Sequence, residues 1–426
     1  MPDIGTQVHA QDEAAHAADD DIVLGILSFN NSDTIAGVIH AALAGVSEYF
    51  PGRRCLLVNA DGGSKDGTQA IVEEAAAGAK DFLHIGYPVN PVSRVSPQYL
   101  GVPGKTSAIK VICGVMQERK AKVGVVLDSG VRSLDGGWVG ALARPILDDA
   151  CDLVSPCYLR HKFDGAIFTG IVYPFTRALF GRRIFQPMGG ELAISSQLAS
   201  FLLRQPLVNG NALESGSDLR ITVQAVSGGF RLSQAFLGRR VLGHDEPAIE
   251  VSSLLAYTLH ALFTEMERTA PMWQKIRGSE RVPGSGRCGE IDCEPANVDI
   301  NPLIQSFRLG YQSLQDIWRT VLPPATWMDL KRMSTETAET FRFEDALWAG
   351  VVYDFALAWR MRVIDRDHLL RAMTPLYLAW FASWIRAVRD ADAKQTLAVI
   401  EGLCSAFEMQ KSRFISRWRW PDRFNP

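Results

Sequence analysis

The hydrophobic pattern of this chain changes near residue 250. Before that point, short β-branched runs alternate with amphipathic stretches. After it, apolar residues recur at helical spacing. Asp21–Ser28 (DIVLGILS) is a continuous apolar run, as in a strand covered on both faces. Asn30, Asn31, Ser32 and Asp33 follow, suited to a turn and a helix N-cap. Ile35, Val38, Ile39, Ala42, Leu43 and Val46 then define one face of a helix. Arg54–Val58 predicts a second strand and Val123–Asp128 a buried central one, with Asp152–Tyr158 and Phe230–Leu237 as later strands. Strand and helix in alternation imply a parallel sheet. A helix is predicted at about Ser252–Arg268, an exposed loop or linker at 279–300, and then helices at Leu303–Val321, Glu344–Arg362, Asp367–Val388 and Lys394–Lys411. Pro323-Pro324 and Pro375 break that helical region. Trp348, Phe355, Trp359, Tyr377, Trp380 and Trp384 are expected in its core. The basic, Trp-bearing tail Lys411–Pro426 is expected to dock back on the protein.

Several strand ends carry polar residues, and in open α/β sheets ligands bind at the carboxyl edge. Asp128 closes the run Val123–Leu127 and is followed by Ser129 and Gly130. A carboxylate there needs a cation or hydrogen-bond donors; the other reading is a cap for the next turn. Asp61 stands just past the second strand, in NADGGSKDGT. Its glycines let backbone approach a ligand, and its carboxylate can accept from a base edge or a ribose, although such a turn also serves simply to cap a helix. The string GKT at Gly104–Thr106 is no P-loop, because Tyr99 stands where that motif needs its first glycine. It leaves Lys105 at a helix start, where an anion is favoured; the other reading is a solvated lysine on a loop. Gly189 and Gly190 precede a predicted helix start, and Asp218 heads an amphipathic helix. Arg160–Arg183 is locally basic, able to hold a carboxylate or phosphate or to form a solvated helix face. His244 follows the last strand, in a loop where a metal ligand is plausible. The first turn, SFNN, lacks the dinucleotide fingerprint, which argues against NAD or FAD.

Composition narrows the classes. The 426 residues are 47% hydrophobic and 21% charged with net charge −3, an ordinary globular composition without the basic excess of a nucleic-acid binder. That length predicts two or three domains. No run of about 20 apolar residues occurs, so no membrane span is expected. No signal peptide is visible, and residues 1–20, rich in Ala, Asp, Gln and His, are expected to form a disordered tail. Seven scattered cysteines fit reduced thiols in the cytoplasm. Cys288 and Cys293 lack the partners of a zinc site.

DGGSKDGT, GKTSAIK, LDSGVR, QPMGGELAIS and the segment ending in His244 together resemble, in order and spacing, the GT-A nucleotide-sugar glycosyltransferases. The resemblance is greatest to the retaining synthases of glucosylglycerate, mannosylglycerate and glucosyl-3-phosphoglycerate. YLRHKFDG, IVYPFTRALFGRR, FEDALWAGVVYDFALA and HLLRAMTPLYLAW point to the first of these. It implies an α/β GT-A domain over 21–250, a connecting helix and loop over 251–300, and an α-helical domain over 301–426.

The resemblance also implies roles. Ser28, Asn30 and Asp61 would surround base and ribose, and Lys105 would face the diphosphate. Asp128 would open the DxD metal motif and His244 would be its later ligand, holding Mg²⁺ or Mn²⁺. Gly190 and Glu191 would hold the donor sugar, and Asp218 would lie beneath the reacting centre. Arg160, Lys162 and Thr169 would form the acceptor loop. The implied reaction is retaining transfer of glucose or mannose from a UDP or GDP sugar to glycerate or a related small acid. The apolar content of the helical C-terminal part adds the expectation of a homodimer, and the cysteines that of a cytoplasmic protein. One departure matters: the third DxD position is Gly130. Mg²⁺ can be held by one or two carboxylates plus phosphates, but the alternative is a nucleotide-sugar-binding protein with weakened or lost turnover.

Overall fold

The computed structural model describes residues 20–89, 102–205, 216–243 and 250–420. It divides into two compact units: Met1–Pro156 with Gly189–Ser217 and Gly229–Asp245, and Cys157–Met188 with Asp218–Gly228 and Glu246–Pro426. The division therefore interleaves, where consecutive segments with boundaries at 250 and 300 were expected. Segments 157–188 and 218–228 are packed with the helical remainder of the chain.

The first unit is built on a mixed, mostly parallel sheet. Its strands are β1 (Ile22–Ser28), β2 (Cys55–Asp61), β3 (Asp81–Gly86), β4 (Val123–Asp128), β5 (Leu153–Cys157), β6 (Leu192–Ser195) and β7 (Leu232–Phe236), in the order β7-β5-β6-β4-β1-β2-β3. β1 is central and runs parallel to both β2 and β4. Every residue of β1 and of β4 is buried, as a doubly covered strand requires. The register pairs Ser28 with Asp61 and Leu27 with Asp128, so three strand ends finish level at one edge. β6 is antiparallel to β4 and to β5.

Helices Ile35–Tyr49, Lys105–Glu118, Gly136–Leu147 and Ser196–Arg204 pack around this sheet. Helix Lys105–Glu118 sits unusually close. A Cβ at Gly25 would lie 2.7 Å from Ile112 and one at Gly124 2.3 Å from Met116, so these strand glycines set the approach.

Three features of this unit depart from expectation. β3 and helix Gly136–Leu147, which contains Pro145, were not anticipated. The helix expected right after Gly190 is preceded by β6, whose four residues are too few to show a period. The helix starts at Ser196, capped by the Ser195 hydroxyl, which accepts from Leu198 N–H at 3.2 Å. Asp20, assigned to the tail, is buried at the foot of the sheet; residues 1–19 lie outside the described residues.

The second unit is helical. Its predicted elements appear with split or shifted ends: Asn301–Ser313 and Gln315–Val321, Asp345–Met361, Arg366–Ala372 and Thr374–Val388. Both proline sites fall at first turns, of Pro324–Ser334 and of Thr374–Val388, where a missing N–H costs nothing. The last helix, Ala393–Arg419, runs through most of the expected tail. Its Lys411 is buried, with the ammonium donating to the carbonyls of Ala178, Leu179 and Ile276. All six core aromatics named from the sequence are buried; Trp348, Trp380 and Trp384 stack in series at 5.7 and 5.8 Å. Among the described residues no helix is long and apolar enough to cross a membrane.

Candidate active site

The first unit gathers polar side chains at the carboxyl ends of β1, β2 and β4. Ser28 Oγ lies 3.0 Å from both Asn59 Oδ1 and Asp61 Oδ2. Asp61 Oδ1 accepts from the N–H groups of Gly63 and Ser64 at 2.7 and 2.8 Å, and Oδ2 from Ser64 Oγ at 2.5 Å. The glycine-rich turn thus folds back onto its own carboxylate and satisfies it. Asn30 adopts a left-handed conformation, φ 54°, that turns it toward this loop. Its N–H donates to Ser64 Oγ and its side-chain oxygen accepts from Lys65 N–H. Asp66 accepts from Ser32 N–H and from Thr68 N–H and Oγ, which clamps the first turn to the second. Burial would raise its pKa, but these hydrogen bonds win and hold it at about 2.

The ends of β1 and β4 are tied by Asn31, whose Oδ1 accepts from Ser129 Oγ at 2.7 Å. Asp128 is buried; its Oδ1 accepts from Gly130 N–H at 2.9 Å and its Oδ2 faces Arg240 Nη2 at 3.5 Å. Arg240 also pairs with the fully buried Glu191 at 3.2 Å. Lys105 opens its helix after Gly104, which caps with φ 69°. The Lys105 ammonium donates to the Gly190 carbonyl at 2.6 Å. Gly190 itself has φ 104°, and a Cβ there would meet the Arg240 guanidinium at 3.1 Å. Lys105, Gly190, Glu191, Arg240 and Asp128 therefore form one contiguous polar line at the sheet edge.

No cluster of three or more His, Cys, Asp or Glu side chains is found among the described residues. His244 lies outside them. The chain leading to it is nevertheless fixed: Gly243 N–H donates to Gly130 O at 2.8 Å, and Arg132 N–H donates to Val241 O at 2.8 Å. The segment before His244 thus lies on the DSG turn itself. A single strand-end carboxylate fits a divalent cation only if that cation takes most of its ligands from phosphate and water, and here Asp128 already faces the Arg240 guanidinium.

The second unit holds a small cavity, about 80 Å³, lined by Arg160, Lys162 and Thr169 among others. Thr169 is carried on a π-helical turn, Phe168–Val172. Arg160 lies over the Phe168 ring at 4.8 Å. The Lys162 ammonium donates to the carbonyls of Arg389 and Ala391, at 2.7 and 3.2 Å, and so fixes the end of the helix Thr374–Val388 to the cavity wall. Trp384 Nε1 donates to Lys162 O at 2.9 Å. His161 accepts from Phe163 N–H at Nδ1 and donates from Nε2 to Glu294 O, which sets its neutral tautomer. Asp218 is buried in the first turn of Ser217–Ser227, in this same unit.

The structure thus brings Ser28, Asn30, Asp61, Lys105, Asp128, Gly190 and Glu191 to one sheet edge, and Arg160, Lys162 and Thr169 to one cavity. Sequence reading missed Arg240, although a basic pair directly after a strand, GRR, was a usable signal. It also gave no such role to Asn31 and Ser64, which hold Ser129, Asn30 and Asp61 in place. The loop at 279–300 is not merely exposed: Gly289, Glu290 and Ile291 line the cavity.

No protein-family model matches the chain, and no curated protein sequence does. Solved structures similar to it include glucosyl-3-phosphoglycerate synthase from Mycobacterium tuberculosis in complex with Mn²⁺, UDP and glucosyl-3-phosphoglycerate. That structure is 21% identical over 63% of this chain and 82% of its own, with a TM-score of 0.43. The same protein with Mg²⁺ and UDP is 20% identical, at 63% and 82% coverage and a TM-score of 0.43. A further mycobacterial protein is 23% identical, over 63% and 78%, with a TM-score of 0.42. At this identity and score the likeness by itself assigns no activity to the chain.

Proposed function

We propose that the chain is a nucleotide-sugar glycosyltransferase of the GT-A type. The particular reading it supports best is a retaining enzyme that moves glucose or mannose from a UDP or GDP sugar to glycerate or a related small acid. The observation that carries this is the level ending of β1, β2 and β4, with Asp61 and Asp128 at one edge and the Lys105 ammonium held at the neighbouring Gly190 carbonyl.

Ser28, Asn30 and Asp61 orient base and ribose; backbone N–H donors already hold the Asn30 and Asp61 oxygens, and Ser28 is held by Asn59 and Asp61, so little ordering remains on binding. Asp128 and His244 would hold Mg²⁺ or Mn²⁺, which when bound supplies Lewis-acid charge to a departing phosphate. Lys105 adds counter-charge where the C–O bond to the diphosphate breaks. Gly190 and Glu191 flank the donor sugar, and buried Asp218 supports the oxocarbenium-like carbon. Arg160 and Thr169 receive the acceptor carboxylate and hydroxyls, and a cavity of this size suits a three-carbon acid. Lys162 shapes that cavity. Same-face transfer needs no strong protein base. Seven free thiols accord with action in a reducing cytoplasm. Exposed Leu309 and Met328 accord with a homodimer through the helical unit.

The test is release of nucleoside diphosphate from UDP-glucose or GDP-mannose with Mn²⁺ and glycerate. Asp128→Ala should slow it at least about tenfold, about 1.4 kcal/mol; an unchanged rate removes the role of Asp128. A second reading, binding without turnover, is favoured by Gly130 and by the guanidinium already beside Asp128. Calorimetric binding of a nucleotide sugar with no transfer to any small acid would establish it.

A further inference from the structure

Two cysteines far apart in the chain come together beside the second unit's cavity. Cys157 lines the cavity at the end of β5, and Cys288 precedes Gly289, Glu290 and Ile291, which line it from the loop at 279–300. The Cys288 thiol donates to Ser285 O at 3.3 Å, and the N–H of the next residue, Gly289, donates to Cys157 Sγ at 3.3 Å, which brings the two cysteines side by side. The loop has no slack there. Gly289 adopts φ 87°, and a Cβ on it would lie 2.8 Å from Phe185. Three residues on from each cysteine the two chains pair as a short parallel ribbon, Ile291 beside Arg160 and Asp292 beside His161. Lys162 N–H continues it, donating to Asp292 O at 2.9 Å.

We propose that Cys157 and Cys288 form a reversible disulfide that acts as a redox modification site on this cavity. The adjacent Cys288 thiol, then Gly289 N–H and the charge of Arg160, favour the Cys157 thiolate against the burial that opposes it, and its pKa falls below the ordinary thiol value. Cys288 shifts the other way and keeps its proton. Hydrogen peroxide is small enough to enter the cavity. The Cys157 thiolate attacks one peroxide oxygen, the O–O bond breaks, and hydroxide leaves and is protonated to water. Cys288 then attacks the sulfenic sulfur and expels a second water, its proton going with the leaving hydroxide. Two thiols and one peroxide give one disulfide and two waters. The new bond is shorter than the thiol contact, so it draws the loop at 288–291 inward and moves Ile291 against Arg160.

The effect on acceptor binding rests on the function proposed above; formation of the bond does not. The reduced protein is treated with limiting peroxide, and peptide mapping without reductant is used to find the cross-link. The expected result is a Cys157–Cys288 linkage with two hydrogens lost, absent in Cys288→Ser, present in Cys404→Ser and reversed by dithiothreitol. Sulfinic acid at Cys157, or a Cys288–Cys293 linkage, overturns the proposal. In the transfer assay, oxidation should raise KM for glycerate by at least about tenfold with donor KM unchanged, and Cys288→Ser should abolish that response. A linked protein with unaltered glycerate KM overturns the control of the cavity. A reduced protein that transfers nothing counts against the proposed function alone, because the linkage is read by mass.

Discussion

The sheet edge of the first unit and the cavity of the second hold their polar groups by different means. At the sheet edge the turn acids take most of their backbone donors from close by in sequence. Asp61 takes its N–H donors from the next three residues, Asp66 from Thr68 with one more from Ser32 in the facing turn, and Asp128 from Gly130. The strands then bring these self-sufficient turns together. In the cavity the partners come from far away: Lys162 from residues 389 and 391, His161 from 294, and Cys157 from 289. A turn that satisfies its own carboxylate can be rebuilt around a ligand without disturbing the sheet. A wall made of remote segments cannot change one contact without moving another. Substitutions at the edge should therefore cost function, and substitutions in the cavity should cost stability as well.

The largest effect should follow Lys105→Ala. Its ammonium is buried and directed by the Gly190 carbonyl toward the line that includes Asp128. Loss of a fixed charge at a developing phosphate should lower kcat roughly 100-fold, about 2.7 kcal/mol. The melting temperature should stay near that of the parent. A kinetic loss matched by an equally large fall in melting temperature would place Lys105 with the structural groups instead.

The same division governed what the sequence revealed. Turns that satisfy themselves leave a local string, and DGGSKDGT and LDSG could be read as loops at strand ends before any coordinates. β1, β4 and the long apolar helices announced themselves by period. β6 did not, because four residues between a glycine and a helix cap show no alternation. β3 is only half-buried, which blurs its pattern. The cavity was legible only in part. RHK marked its basic wall, but nothing near Lys162 indicates that its ammonium is engaged by carbonyls more than 200 residues away. Arg240 was missed for a related reason: its partners, Asp128 and Glu191, belong to other strands.

Lys162→Met sharpens the contrast. Two carbonyls lose their charged donor, which should lower unfolding free energy by about 1–3 kcal/mol. Because Lys162 shapes the cavity, KM for the acceptor should rise while KM for the donor stays put. Chemical denaturation together with two-substrate kinetics measures both. A stable variant with a purely kinetic defect would mean that Lys162 contacts the acceptor directly.

The smallest effects should appear in acid, and they should have opposite signs in the two units. Asp354 is buried in the helical unit, and burial pushes its carboxyl up to about 6 even though Arg417 and Arg413 oppose the shift. A pKa raised in the fold means that the folded state holds the proton more tightly than the unfolded one. The stability this gives is complete below about pH 4 and is lost as pH rises through about 6. Asp66 at the sheet edge is held down at about 2. Its contribution is complete above about pH 4 and is lost as pH falls toward 2. Asp354→Asn should therefore flatten the stability profile between pH 4 and 6, by on the order of 1 kcal/mol. Asp66→Asn should flatten it only below pH 4, by less than about 1 kcal/mol, since Asp66 is exposed and screened by solvent. Urea unfolding at pH 3, 5 and 7 separates the two. If both variants altered the same window, the difference drawn here between locally satisfied and remotely satisfied acids would be wrong, because one mechanism would then serve both units.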